Sequence, residues 1–194
     1  KKDCRCRDTQ AIKGPFAYSL NEPNICVLDT ASLQIENNPP HNSAEVLRVD
    51  RLIREYLGLE KRSGQMVQPW CRGGAQGRKA AVRLDYNFDI KNIPSDDIVL
   101  VIEEPDKYDI EINAKKLEKK LLDGFWLDIC FSKIAIPASM LKNGKNTITL
   151  KTIYDNDSNT ESLYLLGNFG VEVRGSQSTL TTLPEKLNIG DITT

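Results

Sequence analysis

The chain has a single histidine, His41, and two tryptophans, Trp70 and Trp126, and these three residues bound the chemistry open to it. A Ser-His-Asp or Cys-His centre needs an imidazole as general base, so nucleophilic catalysis of that kind would rest entirely on His41. His41 stands in a Pro-Pro-His-Asn turn, and no G-x-S-x-G nucleophile elbow occurs anywhere in the chain. A solvated loop residue is the expectation. Glycoside hydrolysis needs two carboxyl groups facing each other across the scissile bond, and these meet in space rather than along the chain. Asp85, Asp89, Glu111 and Asp128 fall in strand-like stretches at positions that normally face water, and no spacing marks two of them as partners. The chain is read as non-catalytic.

The tryptophans suit a different task. A pyranose ring has one apolar face, which stacks on an indole while neighbouring amides, carboxylates or guanidinium groups hold its hydroxyls. Gln65, Gln68 and Arg72 flank Trp70, and Asp123 and Asp128 flank Trp126. The candidate carbohydrate-binding residues are therefore Trp70, Gln68, Arg72, Trp126 and Asp128. The competing reading places each indole in a sandwich core, where tryptophan is common.

Other motifs carry less. Arg72 to Lys79 (RGGAQGRK) looks like a phosphate loop, but it lacks G-x-x-x-x-G-K-[S/T] and precedes a strand, whereas phosphate is held at a helix N-terminus. Asp155 to Glu161 (DNDSNTE) offers oxygen ligands at alternate positions, as a calcium loop does. Thr160 stands where an EF-hand needs glycine, and Leu166 where it needs glutamate, so a solvated hairpin tip is expected and no cofactor is assigned. Asn156-Asp157-Ser158 is also a glycosylation sequon, relevant only in a eukaryotic secretory setting. Cys4, Cys6, Cys26, Cys71 and Cys130 are odd in number and scattered, which argues against a disulfide framework. Cys4-Arg5-Cys6 lacks the second half of a zinc site. Lys115, Lys116, Lys119 and Lys120 crowd one turn as a solvated edge.

These residues need a scaffold, and composition bounds it. The 194 residues are 40% apolar and 27% charged, with a net charge of -1, which describes an ordinary globular protein. That balance gives no electrostatic case for nucleic acid, and no apolar run approaches the ~20 residues of a membrane helix. The chain begins Lys1-Lys2-Asp3, as a fragment of a longer protein or a processed one would.

Ile25 to Ile35 reads as a strand or strand pair. Asn42 and Glu45 have capping-box spacing, and Val46, Val49, Leu52, Ile53, Tyr56 and Leu57 recur at helical spacing up to Gly58. From Val82 the period changes to two, with Leu84, Tyr86, Phe88 and Ile90 alternating with polar residues. Strand signals follow at 98–102, 108–112, 126–131, 147–153, 163–166 and 171–173, separated by turn formers that include Asp123-Gly124. Many short strands without intervening helices predict an antiparallel sandwich or barrel. The organisation expected is a segment over residues 1–75 (strand pair plus helix), a sandwich over 76–175, and an extension or the start of another unit over 176–194.

The order of these elements is familiar. Tyr86-Asn87-Phe88-Asp89-Ile90 precedes Ile93-Pro94, an apolar strand and YDIEIN; then come FWLDI, KIAIPASMLKNGKNTITL and LYLLGNFGVEV. Over roughly residues 80–175 the chain resembles the galactose-binding-like jelly-roll modules found beside catalytic domains in bacterial glycoside hydrolases. Their strand closing on I-x-V/I-N-G is here Ile110 to Ala114, with alanine in the glycine position, and their L-K-x-G-x-N-x-I-x-L is Leu141 to Leu150. PNICVLDTASLQI and GQMVQPW also resemble the approach to such modules. The resemblance implies a mostly β, jelly-roll-like antiparallel β-sandwich with one N-terminal amphipathic helix. It implies an accessory carbohydrate-binding or scaffolding role, with carbohydrate and the catalytic domain of the same parent chain as partners. A purely structural domain is the alternative, and a glycosidase using a carboxylate pair that the sequence does not mark is the third reading.

One stretch tests this architecture directly. Ser162 to Val173 (SLYLLGNFGVEV) carries Gly-Asn-Phe-Gly inside an apolar run, where a plain strand excludes glycine. Two strands are expected, one in each sheet, with glycine conformational freedom bending the chain between them and Phe169 turned inward as a plug.

Overall fold

The alternating run that begins near Val82 is the spine of the molecule. The computed structural model describes residues 14–60 and 77–188. Their strands, in chain order, are Phe16–Ala17 (β1), Asn24–Leu28 (β2), Thr30–Ile35 (β3), His41–Glu45 (β4), Ala80–Ile90 (β5), Ile98–Glu103 (β6), Asp109–Ile112 (β7), Lys115–Lys116 (β8), Leu121–Trp126 (β9), Asp128–Ile136 (β10), Gly144–Tyr154 (β11), Leu163–Gly167 (β12), Gly170–Arg174 (β13), Gln177–Thr181 (β14) and Lys186–Leu187 (β15). The one α-helix among these residues is Val46–Leu57 (α1), and no helix here is long and apolar enough to cross a membrane. β11 pairs antiparallel with β5 over its whole length. β3 and β14 share the opposite edge of β5, β7 and β8 continue beyond β11, β4 lies outside β3, and β13 pairs with β14. The second sheet has the order β2-β12-β6-β10-β9.

The fold is thus the expected mostly β, antiparallel sandwich with one N-terminal helix. Strands from both flanking segments belong to it. β2 and β3 pair into the two sheets, and β14 pairs with β5, so the sandwich extends on both sides of the 76–175 span read from the pattern. A period of two puts Val82, Leu84, Tyr86, Phe88 and Ile90 on one face of β5. They pack with Ile98, Leu100, Ile102, Ile134, Leu163 and Leu165 of the other sheet in one continuous core. Each such side chain contributes roughly 1.5–3 kcal/mol on burial.

Two of the chain's passages from one sheet to the other are short: one between β2 and β3, and one between β12 and β13. The second passage is the Gly-Asn-Phe-Gly stretch, and Phe169 does turn inward, at 1% exposure. The glycines act by close approach rather than through a left-handed φ. A Cβ on Gly167 would lie 2.8 Å from the Phe169 ring, and one on Gly170 would lie 2.6 Å from Thr181 Oγ1 and 3.0 Å from the Thr182 carbonyl oxygen.

Three local expectations change. Asn42 and Glu45 form no capping box: residues 41–45 are β4, whose ladder with β3 takes their backbone groups, and Glu45 at the helix start makes no side-chain cap. The first helical N–H, of Val46, donates instead to the Asp29 carbonyl, 2.9 Å away at the passage between β2 and β3. Gly58 ends the helix in the left-handed conformation, as its type and position predict. Trp126–Phe131 is not one strand, since the chain reverses at Leu127 (φ 60°), and Asp123-Gly124 lies inside β9.

Asp155 to Glu161 is likewise no solvated tip. Ser158 and Thr160 are buried, and Arg54 of the helix donates from Nη2 to the Asn156 and Ser158 carbonyls, both at 3.1 Å. Asp155 Oδ1 accepts from the Ser158 hydroxyl and the Asp157 N–H, so it serves the loop's own turn. Among the described residues no group of three or more His, Cys, Asp or Glu could hold a metal ion.

Between β7 and β8, Asn113 (φ 51°) and Ala114 (φ 64°) are both left-handed, the signature of a type I′ hairpin. Alanine at the glycine position therefore does not prevent the turn. Asn113 holds it, donating to the Met140 carbonyl (2.9 Å) and to Asn146 Oδ1 (2.8 Å) and accepting from the Thr147 N–H (3.2 Å). An L-residue there costs about 1–2 kcal/mol, part of which glycine returns as unfolded-state entropy. Ala114→Gly is expected to raise stability by about 0.5–1 kcal/mol in urea titration.

Candidate functional site

The outer face of the smaller sheet is where the sequence places its aromatic chemistry. Alternation in β12 buries Leu163 and Leu165 and turns Tyr164 outward; in β10 it buries Ile134 and Ile136 and turns Phe131 and Lys133 outward. Strand pairing then sets Tyr164 opposite Val101, Lys133 opposite the same Val101, and Phe131 opposite Glu103. Trp126 completes the group, with ring centroids 5.1 Å from Tyr164 and 5.9 Å from Phe131, while Phe131 and Tyr164 lie 5.6 Å apart, edge to face. Such tilted pairs add about 0.5–1.5 kcal/mol each beyond area burial.

A bulge shapes this group. β9 and β10 pair at Trp126↔Asp128 and next at Phe125↔Ser132, so residues 129–131 are extra on one strand. An extra segment of this kind bends its strand and redirects side chains. Phe131 is half-buried against the indole, whereas Ile129 and Cys130 stand in solvent. Trp126 itself is half-buried and lies outside the core between the sheets.

Of the residues read from the sequence, Trp126 and Asp128 are brought together as cross-strand partners. Trp70, Gln68 and Arg72 lie outside the described residues, as do Cys4, Cys6, Cys71 and most of the Gly-rich loop. His41 is exposed, but on β4 rather than in a loop. Sequence reasoning missed Tyr164, Phe131, Glu103 and Lys133. The available signal was alternation within SLYLL and CFSKI, which sends Tyr164 and Phe131 away from the core.

The polar groups beside the rings have defined states. The Cys130 N–H donates to Asp128 Oδ1 at 3.1 Å and holds that carboxyl below its usual range. A general acid for glycoside cleavage requires the opposite shift. The Cys130 thiol lies 3.6 Å from Glu103 Oε1. Local desolvation, with Asp128 and Glu103 beside it, pushes that thiol up to about 11. Desolvation, then Glu161 and Glu103, raises the Tyr164 phenol, which stays a neutral donor and acceptor.

No protein-family model, curated protein or solved structure matches the chain.

The arrangement offers an aromatic surface edged by carboxylates, an ammonium and a phenol. Apolar surface adjoins it: Val27 lies opposite Tyr164, and Leu127 and Ile129 at the end of the β9–β10 hairpin are more than half exposed.

Proposed function

We propose that this chain is a non-catalytic accessory module that binds carbohydrate on the surface formed by Trp126, Tyr164 and Phe131. The observation carrying this reading is the position of Trp126: outside the core, packed at a tilt against two other rings, and paired with Asp128. An apolar sugar face would lie against the rings while Asp128, Glu103 and Lys133 hold hydroxyl groups. Binding would be shallow and weak for an isolated module.

Tryptophan fluorescence tests it in a Trp70→Phe background, which leaves Trp126 as the only indole. Titration with mono- and oligosaccharides is expected to give a saturable change. Tyr164→Ala should weaken it about tenfold, or ~1.4 kcal/mol. In the otherwise unchanged chain, Trp126→Ala should abolish binding seen by calorimetry. Silence across the panel from a folded sample would overturn the reading.

A second reading has its own support. Leu127 and Ile129, at 75% and 83% exposure, sit at the end of a hairpin that isolated solvent does not favour. A scaffolding role, with this hairpin packed on the catalytic domain of the same parent chain, would cover them. Leu127→Asp should leave sugar binding intact and abolish docking to such a domain.

A further inference from the structure

The outer face of the larger sheet holds a second feature, on the opposite sheet from the aromatic rings. Four strands contribute one row of side chains across it: Gln34 on β3, Arg83 on β5, Lys151 on β11 and Asp109 on β7. Above this row the chain turns through a short 3₁₀ segment, Pro105–Lys107, and the result is a groove of about 420 Å³. That volume falls within the range of small-ligand sites. Arg83, Lys107, Lys119 and Lys151 line it together with Glu36, Asp106 and Asp109.

The row contains an arrangement that the fold does not need. Arg83 and Lys151 are directly opposite each other on neighbouring strands, and like charges so placed are destabilising. Each is anchored from the next row, away from the groove. Arg83 Nε donates to Asp85 Oδ1 and Oδ2 at 3.0 and 3.1 Å, and Lys151 Nζ donates to Glu111. Lys119 is fixed from the opposite wall by the Pro105 and Tyr108 carbonyls, at 3.1 and 3.0 Å. Neither Asp85 nor Glu111 lines the groove. Among the described residues, the Arg83 Nη donors and the Asp109 carboxylate have no hydrogen-bond partner.

A guanidinium held at Nε presents its two Nη groups as a fork, and a carboxylate is the planar acceptor that matches a guanidinium fork in two parallel hydrogen bonds. Asp109, on the same row beyond Lys151, is an acceptor suited to hydroxyl groups. We infer that this groove binds a carboxylated sugar, a hexuronate or an oligosaccharide ending in one, with its carboxylate on Arg83 beside Lys151 and hydroxyls on Asp109. This site is independent of the aromatic surface, which lies on the other sheet.

The test is calorimetric titration of the full chain with glucuronate and galacturonate, with glucose and galactose as matched neutral probes. Saturable binding of a uronate at least tenfold tighter than its neutral counterpart is expected. Arg83→Gln should erase that preference, Asp109→Asn should weaken uronate binding severalfold, and Trp126→Ala should leave it unchanged. Both groove positions are solvent-facing, and unchanged circular dichroism and melting will establish that the variants fold. Equal affinity for charged and neutral sugars, uronate binding unaffected by Arg83→Gln, uronate binding lost in Trp126→Ala, or no binding by folded protein would each overturn the inference. The first three outcomes leave a sugar-binding reading of the aromatic surface standing.

Discussion

Arg54→Met is expected to lower folding stability by about 3–5 kcal/mol, the cost of leaving one member of a buried ion pair without its partner. Arg54 and Asp50 are 3% and 4% exposed, on one face of α1, with Nε donating to Asp50 Oδ2 at 3.1 Å. The other Asp50 oxygen accepts from the Tyr154 hydroxyl, and the Arg54 guanidinium lies 5.8 Å from the centre of the Tyr154 ring. Its remaining donors go to the Glu60, Asn156 and Ser158 carbonyls. Methionine keeps much of the volume but strands a carboxylate with a single phenol and leaves three carbonyls without their donor. The double variant Asp50→Asn/Arg54→Met should recover 1–3 kcal/mol of the loss, because its buried carboxylate is gone. Urea denaturation reads both values. A loss below about 1 kcal/mol in Arg54→Met would show that the pair is effectively hydrated.

Phe169→Ala should cost a similar amount, about 3–5 kcal/mol, by emptying the position where the chain passes between the sheets. The partner experiment is Gly167→Ala. Its new methyl would meet the Phe169 ring at 2.8–2.9 Å, too close without a shift, and a cost of about 1–3 kcal/mol is expected. In a Phe169→Ala background the ring is gone, and the next nearest atom is Ile98 Cγ2, at 3.3 Å. Gly167→Ala should then cost less than about 1 kcal/mol, so the two substitutions couple strongly. Additive losses would mean that Gly167 is required for some other reason.

What could be read before folding divides along physical lines. The alternation from Val82 to Ile90 is a local signal with one interpretation, and β5 follows it residue for residue. The helix from Val46 to Leu57 was legible for the same reason, through its apolar spacing and Gly58. The start of the helix was not. Whether Asn42 caps a helix or joins a ladder depends on β3 lying alongside, and short-range pattern carries no information about that neighbour. Trp126 shows the same limit at the candidate site. Its polar sequence neighbours were visible, but its ring partners Phe131 and Tyr164 come from strands on either side of β6, and only the β12-β6-β10 order brings them together. Asp50 and Arg54 were hidden for a different reason. At i, i+4 they look like any solvated pair on a helix surface, and it is Tyr154 with the loop that follows it, distant in sequence, that meets them in a buried setting.

The position of β12 between β2 and β6 has a consequence for how this polypeptide is made. β2 is made well before β12, its one ladder partner in that sheet among the described residues, and the Asn24 side chain bonds the Phe169 carbonyl 145 residues later. Pairing at such separations folds slowly, because loop closure must precede any gain. At about 5–20 residues per second the ribosome needs several seconds or more to deliver residues 163–167. Through that interval β2 has no neighbour in its sheet among the described residues, and the β6 edge that β12 will fill stays open. The nascent chain should therefore be a strong client for holding chaperones, and should stop being one when Leu163 to Gly167 clear the exit tunnel.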